Sequence, residues 1–407
     1  MNILSGLAGK LGGGIMKKKV LIFFSLLIAV AVVGFAGPEE VDVYAYLYNA
    51  SITNTAQLDI LQSMVEARLT GAGEFYARAL RRLVSEYRNI RDVTERNAAD
   101  EQAMLLSALL GAEKYAPAAS DLWLVVDAFS APLVKAEALM ALGKIRATAY
   151  LPQVIRVLES VNAAPTTDRL NGERIAFGAI IALEKYQDPS GYLPVFFAAT
   201  GWYSNRIKEQ ALKSLPFMSN DPTPYMLEVV RGPAYDYPTK YVALQTIEAA
   251  NVTNEKKVSV AVVALAEGWR ATSNDPLLRT TLANMRKLAI RMINRYKTTD
   301  NSIYTLLDRS YNQGFDMDEK LAAVSALASQ QTDEGARRLS NYLMDLNSKR
   351  QSGNIRQEDE QMVRAVIPAL GQAGRPLGRP ALNAVIALDW TPAVKQLAQT
   401  AIGQISN

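Results

Sequence analysis

The chain has 407 residues, of which 49% are hydrophobic and 8% aromatic, and its 44 basic and 40 acidic side chains give a net charge of +4. This length and composition are typical of a globular protein, built either as two or three compact domains or as one elongated repeat array. The chain contains neither cysteine nor histidine, which excludes disulfides, thiol or histidine catalysis and the common zinc ligand sets.

The first 36 residues have the organisation of a secretory signal peptide. Three consecutive lysines starting at Lys17 precede an uncharged apolar run over 20–33, and small residues at Gly34 and Ala36 mark a cleavage site between Ala36 and Gly37. The run is short for a bilayer span, which needs about 20 residues. The pattern favours cleavage and export to the bacterial periplasm or cell envelope, with retention as a membrane anchor as the alternative.

A glycine-rich stretch, MNILSGLAGKLGGGI, precedes the lysines and resembles neither a charged n-region nor a domain. We interpret Met16 as the true first residue, with a longer n-region beginning at Met1 as the alternative. Four of the 44 basic residues and none of the acids lie before Gly37, so cleavage would leave 40 basic and 40 acidic residues. Because nucleic-acid-binding proteins usually carry a basic surface, we expect no nucleic-acid partner.

Residues 37–54 form a short N-terminal arm in this interpretation. Within VDVYAYLY, the side chains of Tyr44, Tyr46 and Tyr48 would share one face of an extended strand. The alternation fits an arm able to pair with the sheet edge of a partner. The interpretation that we prefer is that this segment leads into the first helix of the next region.

Residues 55–407 show helical spacing of apolar residues in repeated pairs. In the clearest pair, one apolar stripe runs from Leu133 to Ile145, and Pro152 opens a second helix that carries Val154 and Leu158. Similar pairs follow over 172–200, 205–230 and 239–267. A core position near the end of each first helix recurs at Leu110, Leu142, Leu183, Leu215, Ile247, Leu288, Leu327, Leu370 and Ile402. Four of the eight gaps are 32 residues and the others 39 to 43, as expected for a repeat array with insertions in its loops.

Two stretches resemble the HEAT-repeat family and the related armadillo-like arrays. The residues that carry the resemblance are Pro132, Ala136, Ala138, Leu139, Ala141, Leu142 and Gly143, and then Val363, Ala365, Ala369, Leu370 and Gly371. The resemblance covers roughly residues 100–405, with a weaker helical start from residue 55. It implies an all-α fold, an α-solenoid of stacked antiparallel helix pairs, that serves as a scaffold or binding surface for other proteins. It implies no catalytic residue and no cofactor.

Carboxylate clusters are the remaining candidates for catalysis or metal binding. The densest is Asp316-Met317-Asp318-Glu319, which lacks the other ligands of a calcium loop. It directly precedes an apolar helix, so we interpret Asp316 or Asp318 as the helix cap. The acids of 357–360 also precede a helix, where they favour its positive end. We therefore expect no catalytic residue and no metal site, with a hydrolase that uses paired carboxylates as the alternative.

One long helix is predicted to carry a basic surface. Asp275 is suited to be its N-cap and Pro276 its first residue, and the segment 276–297 contains no acid. Its candidate partner-binding cations are Arg279, Arg286, Lys287, Arg291 and Arg295, the last three of which lie four residues apart on one face. The pattern predicts docking of an acidic protein segment or of an anionic envelope lipid or glycan. The alternative is that these cations pair with acids of the neighbouring repeat.

A second candidate surface is aromatic. Its members fall mostly in turns between helices and are Trp202, Tyr203, Tyr225, Tyr235, Tyr237 and Tyr241. Aromatic residues with polar tips are enriched at protein interfaces, and we single out Trp202, Tyr203, Tyr235 and Tyr237 as candidate partner contacts. The alternative is that they cover the ends of the helical core.

The sequence as a whole predicts a non-enzymatic protein–protein scaffold in the periplasm or cell envelope, with protein partners there and no cofactor. Three alternatives stay open: a membrane-tethered accessory subunit of a larger envelope machine, a nucleic-acid-binding repeat protein, and an envelope hydrolase. Contact with a membrane is expected only through the N-terminal segment, if it is not cleaved.

Overall fold

The computed structural model describes residues 38–163 and 168–405. The predicted signal peptide, its cleavage site between Ala36 and Gly37, and the two candidate start residues lie outside the described residues. In the part of the chain that is described, the fold is 80% helical without strands, and twenty α-helices pack in neighbouring pairs. This confirms the predicted all-α, solenoid-like fold. Across the same ranges, no helix is both long enough and apolar enough to cross a membrane.

The described residues divide into two compact units, the first ending at residue 214 and the second beginning at residue 215. The helices of the first unit are α1 (Pro38–Ala50), α2 (Asn54–Glu66), α3 (Gly73–Tyr87), α4 (Val93–Ala112), α5 (Ala119–Ala128), α6 (Pro132–Lys144), α7 (Leu151–Ala163), α8 (Arg169–Tyr186) and α9 (Tyr192–Thr200). Helix α10 (Asn205–Met218) runs across the boundary. Helices α2, α4, α6 and α8 pack side by side as one layer, and α3, α5, α7 and α9 pack against it as a second layer.

The second unit repeats this two-layer plan. Its helices are α11 (Thr223–Arg231), α12 (Tyr237–Ala249), α13 (Asn254–Gly268), α14 (Pro276–Tyr296), α15 (Ser302–Gln313), α16 (Met317–Gln330), α17 (Asp333–Gln351), α18 (Gln357–Ala373), α19 (Arg379–Ala387) and α20 (Pro392–Gln404). The even-numbered helices from α12 to α20 pack in succession, and each odd-numbered helix packs on the even-numbered helix that follows it.

The predicted core position of the repeat is confirmed. All nine residues from Leu110 to Ile402 lie on even-numbered helices, from α4 to α20. The first eight are buried and Ile402 is half-buried. The spacing of apolar residues in the sequence therefore identifies the even-numbered helices, which form one layer of each unit and carry its core residues.

The pairing of the helices differs from the prediction by one helix. The sequence pattern groups α6 with the following α7. Among the odd-numbered helices, however, α6 packs against α5 before it, and α7 packs against α8 after it. The connection between α5 and α6 is only Phe129–Ala131, which leaves these two helices adjacent and antiparallel. Six residues separate α6 from α7, including a 3-10 turn over Thr148–Tyr150, and carry the chain to the next pair.

The preferred interpretation of the N-terminal arm, a lead into the first helix, is correct, and the extended-arm interpretation is wrong, because Pro38–Ala50 is helical. Tyr48 is 2% exposed and its hydroxyl donates to Oε1 of Gln102 at 2.8 Å. Its ring meets that of Phe75 edge-on, 5.3 Å between centroids. Glu39 and Glu40 lie in the first turn, where negative charge stabilises a helix, and an isolated strand without a sheet would leave its backbone unpaired.

The even-numbered helices of the first unit end in the same backbone conformation. One or two positions beyond each helix, a residue has a positive φ of 51° to 58°, and these residues are Arg68, Lys114, Arg146 and Gln187. Left-handed residues commonly terminate helices, usually with glycine. Here residues with long side chains occupy the position. The backbone geometry therefore repeats from helix to helix, although no glycine marks these helix ends in the sequence.

Helices α6 and α8 approach each other through small residues at two levels. A Cβ atom on Gly178 would lie 2.6 Å from Cα of Ala136, and one on Gly143 would lie 2.5 Å from Cα of Ala182. Both distances are too short for real Cβ contacts, so neither glycine can gain a side chain without moving a backbone. Gly143 belongs to the alanine-rich motif on which the HEAT resemblance rests.

We expect Gly178→Ala to destabilise the first unit by about 1–3 kcal/mol, because overpacking must push α6 and α8 apart. The matched control is Gly403→Ala in α20, where an added Cβ meets nothing within 4 Å. That control should be neutral or stabilising by up to about 1 kcal/mol, the helix-propensity gain. Urea unfolding of the full chain measures both. Equal effects of the two substitutions would contradict close packing at Gly178.

Candidate docking surfaces

The predicted basic helix exists as α14. Asp275 caps it by accepting the Leu277 backbone N–H at 3.0 Å, and Pro276 is its first residue. Both features were predicted and are confirmed. The helix is 21 residues long and is packed between α12 and α16 in the even-numbered layer, so only part of its circumference is exposed.

Arg286 is a structural residue, and its assignment to a docking surface is wrong. It is 6% exposed, and two of its nitrogens donate to the carboxylate of Glu319 at 2.7 and 2.9 Å. A third nitrogen donates to the Gly268 carbonyl at 3.0 Å. The guanidinium also lies 4.1 Å from the ring centroid of Trp269. One side chain thus joins α14 to α13 and α16 inside the second unit.

Lys287 is also engaged within the unit. Its ammonium lies 2.8 Å from Oδ2 of Asp316, while Oδ1 of Asp316 accepts the Glu319 backbone N–H at 2.9 Å and caps α16. Burial would raise the pKa of the Asp316 carboxyl, but these hydrogen bonds and the charges of Lys287 and Arg286 outweigh it and lower that pKa. For Arg286 and Lys287, the alternative of pairing with acids of the neighbouring repeat is therefore correct.

The other three predicted cations of α14 remain exposed. The Arg279 guanidinium lies 5.5 Å from the Phe315 ring centroid, and that of Arg295 lies 5.6 Å from the Tyr296 centroid. Arg291 has no hydrogen-bond or ion-pair partner among the described residues. Arg291 and Arg295 lie one helical turn apart, and we call these two residues the arginine face.

Trp202 and Tyr203 close the core of the first unit. Tyr203 is 3% exposed and its hydroxyl donates to Oδ1 of Asn162 at 2.8 Å. The indole N–H of Trp202 donates to the Val161 carbonyl at 3.1 Å, and the two rings stack with centroids 4.2 Å apart. Burial raises the pKa of Tyr203. Tyr203 is therefore inaccessible, and its prediction as a partner contact is wrong, whereas Trp202 is half-buried.

Tyr235 and Tyr237 lie in the second unit and are both half-buried. The ring of Tyr235 packs on Gly232, where an added Cβ would lie 2.7 Å from it. Tyr237 begins α12, and the ammonium of Lys240 lies 5.3 Å from its ring centroid. That ammonium is buried and pairs with Oε2 of Glu267 at 3.0 Å. Both tyrosines contact their own unit, and their role as partner contacts stays a prediction.

The carboxylate clusters act as helix caps. Asp316 caps α16, as predicted. In the other cluster, Asp359 accepts the Arg356 backbone N–H at 3.0 Å and the Lys349 ammonium at 3.1 Å, at the start of α18. Over 38–163 and 168–405, no group of three or more acidic side chains is placed to hold a metal ion.

Two depressions in the odd-numbered layer were not predicted from the sequence. The polar one, about 360 Å³, lies between α15 and α17. Tyr311 and Tyr342 stack there in parallel with centroids 3.7 Å apart, and Tyr342 and Arg338 both contact the Asp308 carboxylate. Its charged groups thus largely satisfy one another.

The other depression is mainly apolar and lies between α5 and α7. It has a volume of about 340 Å³ and is lined by Trp123, Val126, Lys135, Gln153, Arg156, Val157, Ser160, Val161 and Ile175. We call it the α5–α7 groove. Its lining comes from four different helices, so the sequence offers no local motif that would reveal it.

Comparison with known protein families finds no match for the chain. Comparison with curated proteins likewise finds none at a significant level. The resemblance to the HEAT-repeat family therefore stays a prediction from the sequence.

We expect Glu319→Gln to destabilise the second unit by about 3–5 kcal/mol, because it leaves the buried Arg286 guanidinium without its counter-charge. The matched control is Glu358→Gln, the same change at an exposed position of α18, which should cost less than about 0.5 kcal/mol. Urea unfolding followed by circular dichroism measures both. If both variants lost the same stability, the buried pair would not have the structural role assigned to it.

Proposed function

We propose that this chain is a non-enzymatic, HEAT-like scaffold that binds protein partners, and that its arginine face docks an acidic segment of a partner. The observation that carries the proposal is the contrast within α14. Arg286 and Lys287 are neutralised by Glu319 and Asp316, whereas Arg291 and Arg295 point outward without an acidic partner among the described residues.

The chemistry of the arginine face supports an acidic protein segment. Arginine is enriched at binding hot spots and binds carboxylates through two parallel hydrogen bonds. The rigid helix beneath reduces the entropy lost on binding, because its backbone is already ordered by packing between α12 and α16. Solvent-exposed charges are screened by salt, so this docking should weaken as ionic strength rises.

A non-catalytic role is supported by the engagement of the carboxylate clusters. Asp316 and Asp359 each accept a backbone N–H and a lysine ammonium, and these bonds, together with the neighbouring positive charge, outweigh burial and lower the pKa of both carboxyls. A general acid needs the opposite shift, toward neutral pH. These two groups therefore suit capping better than proton transfer.

We further propose the periplasm or cell envelope as the place of action, on the strength of the signal-peptide pattern before Gly37. Mass spectrometry of the native N-terminus in cell fractions tests this. A soluble envelope protein that begins near Gly37 is expected. A membrane fraction that begins at Met16 or Met1 would instead favour the membrane-tethered subunit, and an uncleaved cytoplasmic protein would contradict export.

We expect Arg291→Glu combined with Arg295→Glu to weaken partner capture about tenfold or more, because reversed charges repel the acidic segment. The measurement is crosslinking mass spectrometry on cells that express the wild type or the variant, with the wild-type partner quantified in both. Thermal unfolding of the variant should match that of the wild type, since both side chains are exposed.

The matched control for this variant is Arg88→Glu with Arg91→Glu. Both arginines are exposed in the first unit, so the control changes the net charge equally at a different surface. Capture should survive in the control. Equal loss in both variants would indicate a general charge effect, and unchanged capture in the α14 variant would contradict docking at the arginine face.

A further inference from the structure

The α5–α7 groove is lined by four helices, three of which contribute apolar side chains. Trp123 and Val126 come from α5, Val157 and Val161 from α7, and Ile175 from α8. On α7 the lining positions 153, 156, 157, 160 and 161 follow helical spacing and form one stripe. That stripe is about 12 Å long, since each helical residue advances 1.5 Å. The groove therefore offers an elongated and mainly apolar lining.

The charged residues of the groove are both cations. Lys135 reaches it from the first turn of α6 and Arg156 from the middle of α7, and no acid lines it. In the part of the chain that the structure describes, neither cation has a hydrogen-bond or ion-pair partner. This contrasts with Arg286 and Lys287 of α14, which are neutralised within their own unit. The groove thus combines an apolar surface with uncompensated positive charge.

Gln153 adds an unsatisfied polar group to the same lining. Its Oε1 is buried and lacks a hydrogen-bond partner within the described residues. A buried polar atom left without a partner costs free energy, so this amide gains from a polar ligand group beside it. Rotation about the side chain can offer either its oxygen as an acceptor or its N–H groups as donors.

We propose that the α5–α7 groove binds a single-chain alkyl carboxylate, a fatty-acid-like anion. The alkyl chain lies along Val126, Val157 and Val161, and the carboxylate is held by Lys135 or Arg156. A 12 Å stripe matches an extended chain of about ten carbons. This binding activity is independent of the scaffold role proposed above.

The size of the groove favours a small ligand over a protein segment. Its volume of about 340 Å³ lies in the range of small-molecule sites, roughly 300–1,000 Å³. Its nine lining residues fall well short of the 20–30 residues, approximately, that each partner contributes to a standard protein interface. Sites for small molecules are also typically apolar with a few polar groups that orient the ligand, as found here.

Isothermal titration calorimetry of the full chain with decanoate tests the proposal. We expect saturable binding to the wild type, about tenfold or more weaker binding to Arg156→Glu and to Lys135→Glu, and unchanged binding to the Arg88→Glu control. Decyltrimethylammonium carries the same alkyl chain with a positive head group and should not bind. Quenching of tryptophan fluorescence by 10-bromodecanoate should decrease in Trp123→Phe, which places the chain in the groove.

Three results would overturn the proposal. Absence of saturable decanoate binding would show that the groove is not a carboxylate site. Equal binding of decanoate and decyltrimethylammonium would indicate adsorption to apolar surface only. Binding that is unaffected by both charge reversals would place the anion elsewhere. Arg156 is exposed and Lys135 half-buried, and circular dichroism of each variant checks that the fold is retained.

Discussion

The close approach of neighbouring even-numbered helices is the constraint on which the rest of each unit depends. In the first unit it is made by Gly143 against Ala182 and by Gly178 against Ala136. In the second, a Cβ on Gly371 would lie 3.0 Å from Cα of Ala401. Because small residues let helix backbones meet, the even-numbered helices form a closely packed layer, and each odd-numbered helix packs onto this layer.

The same constraint explains the buried charges of the second unit. A long side chain at the edge of a tightly packed layer is enclosed by the next helix, and it must then find partners there. Arg286 does so with Glu319 and the Gly268 carbonyl, and Lys240 with Glu267. Burial would raise the pKa of Glu267, but hydrogen bonds from Arg270 and Lys240 outweigh it and lower that pKa. The carboxyl therefore stays charged and keeps the pair intact at neutral pH.

Much of the fold could be predicted from the sequence, because apolar period and helix caps are local signals. The core positions from Leu110 to Leu370 and the capped start of α14 at Asp275 are correct. The spacing of Tyr44–Tyr48 alone could not decide between strand and helix, since a short alternating stretch fits either period. The packing of α6 on α5, and not on α7, was not predicted, because every helix has one amphipathic helix before it and another after it in the sequence.

The candidate sites were less predictable, because accessibility is a property of three-dimensional packing. Arg286 and Arg291 are alike in the sequence, yet one is buried against Glu319 and the other is exposed. Tyrosine is common at protein interfaces, but Tyr203 is buried and its hydroxyl donates to Asn162. The α5–α7 groove draws on residues more than fifty positions apart, from Trp123 to Ile175, and no local pattern connects them.

The two-layer plan also has a consequence for how the chain reaches its fold. In each unit a helix packs on the helices one or two places away along the chain, so contacts between distant parts of the chain are few. Low contact order of this kind is associated with fast folding. Order can begin at any helix pair and spread to its neighbours, so translation can be accompanied by folding, pair by pair, before the C-terminal helices have been made.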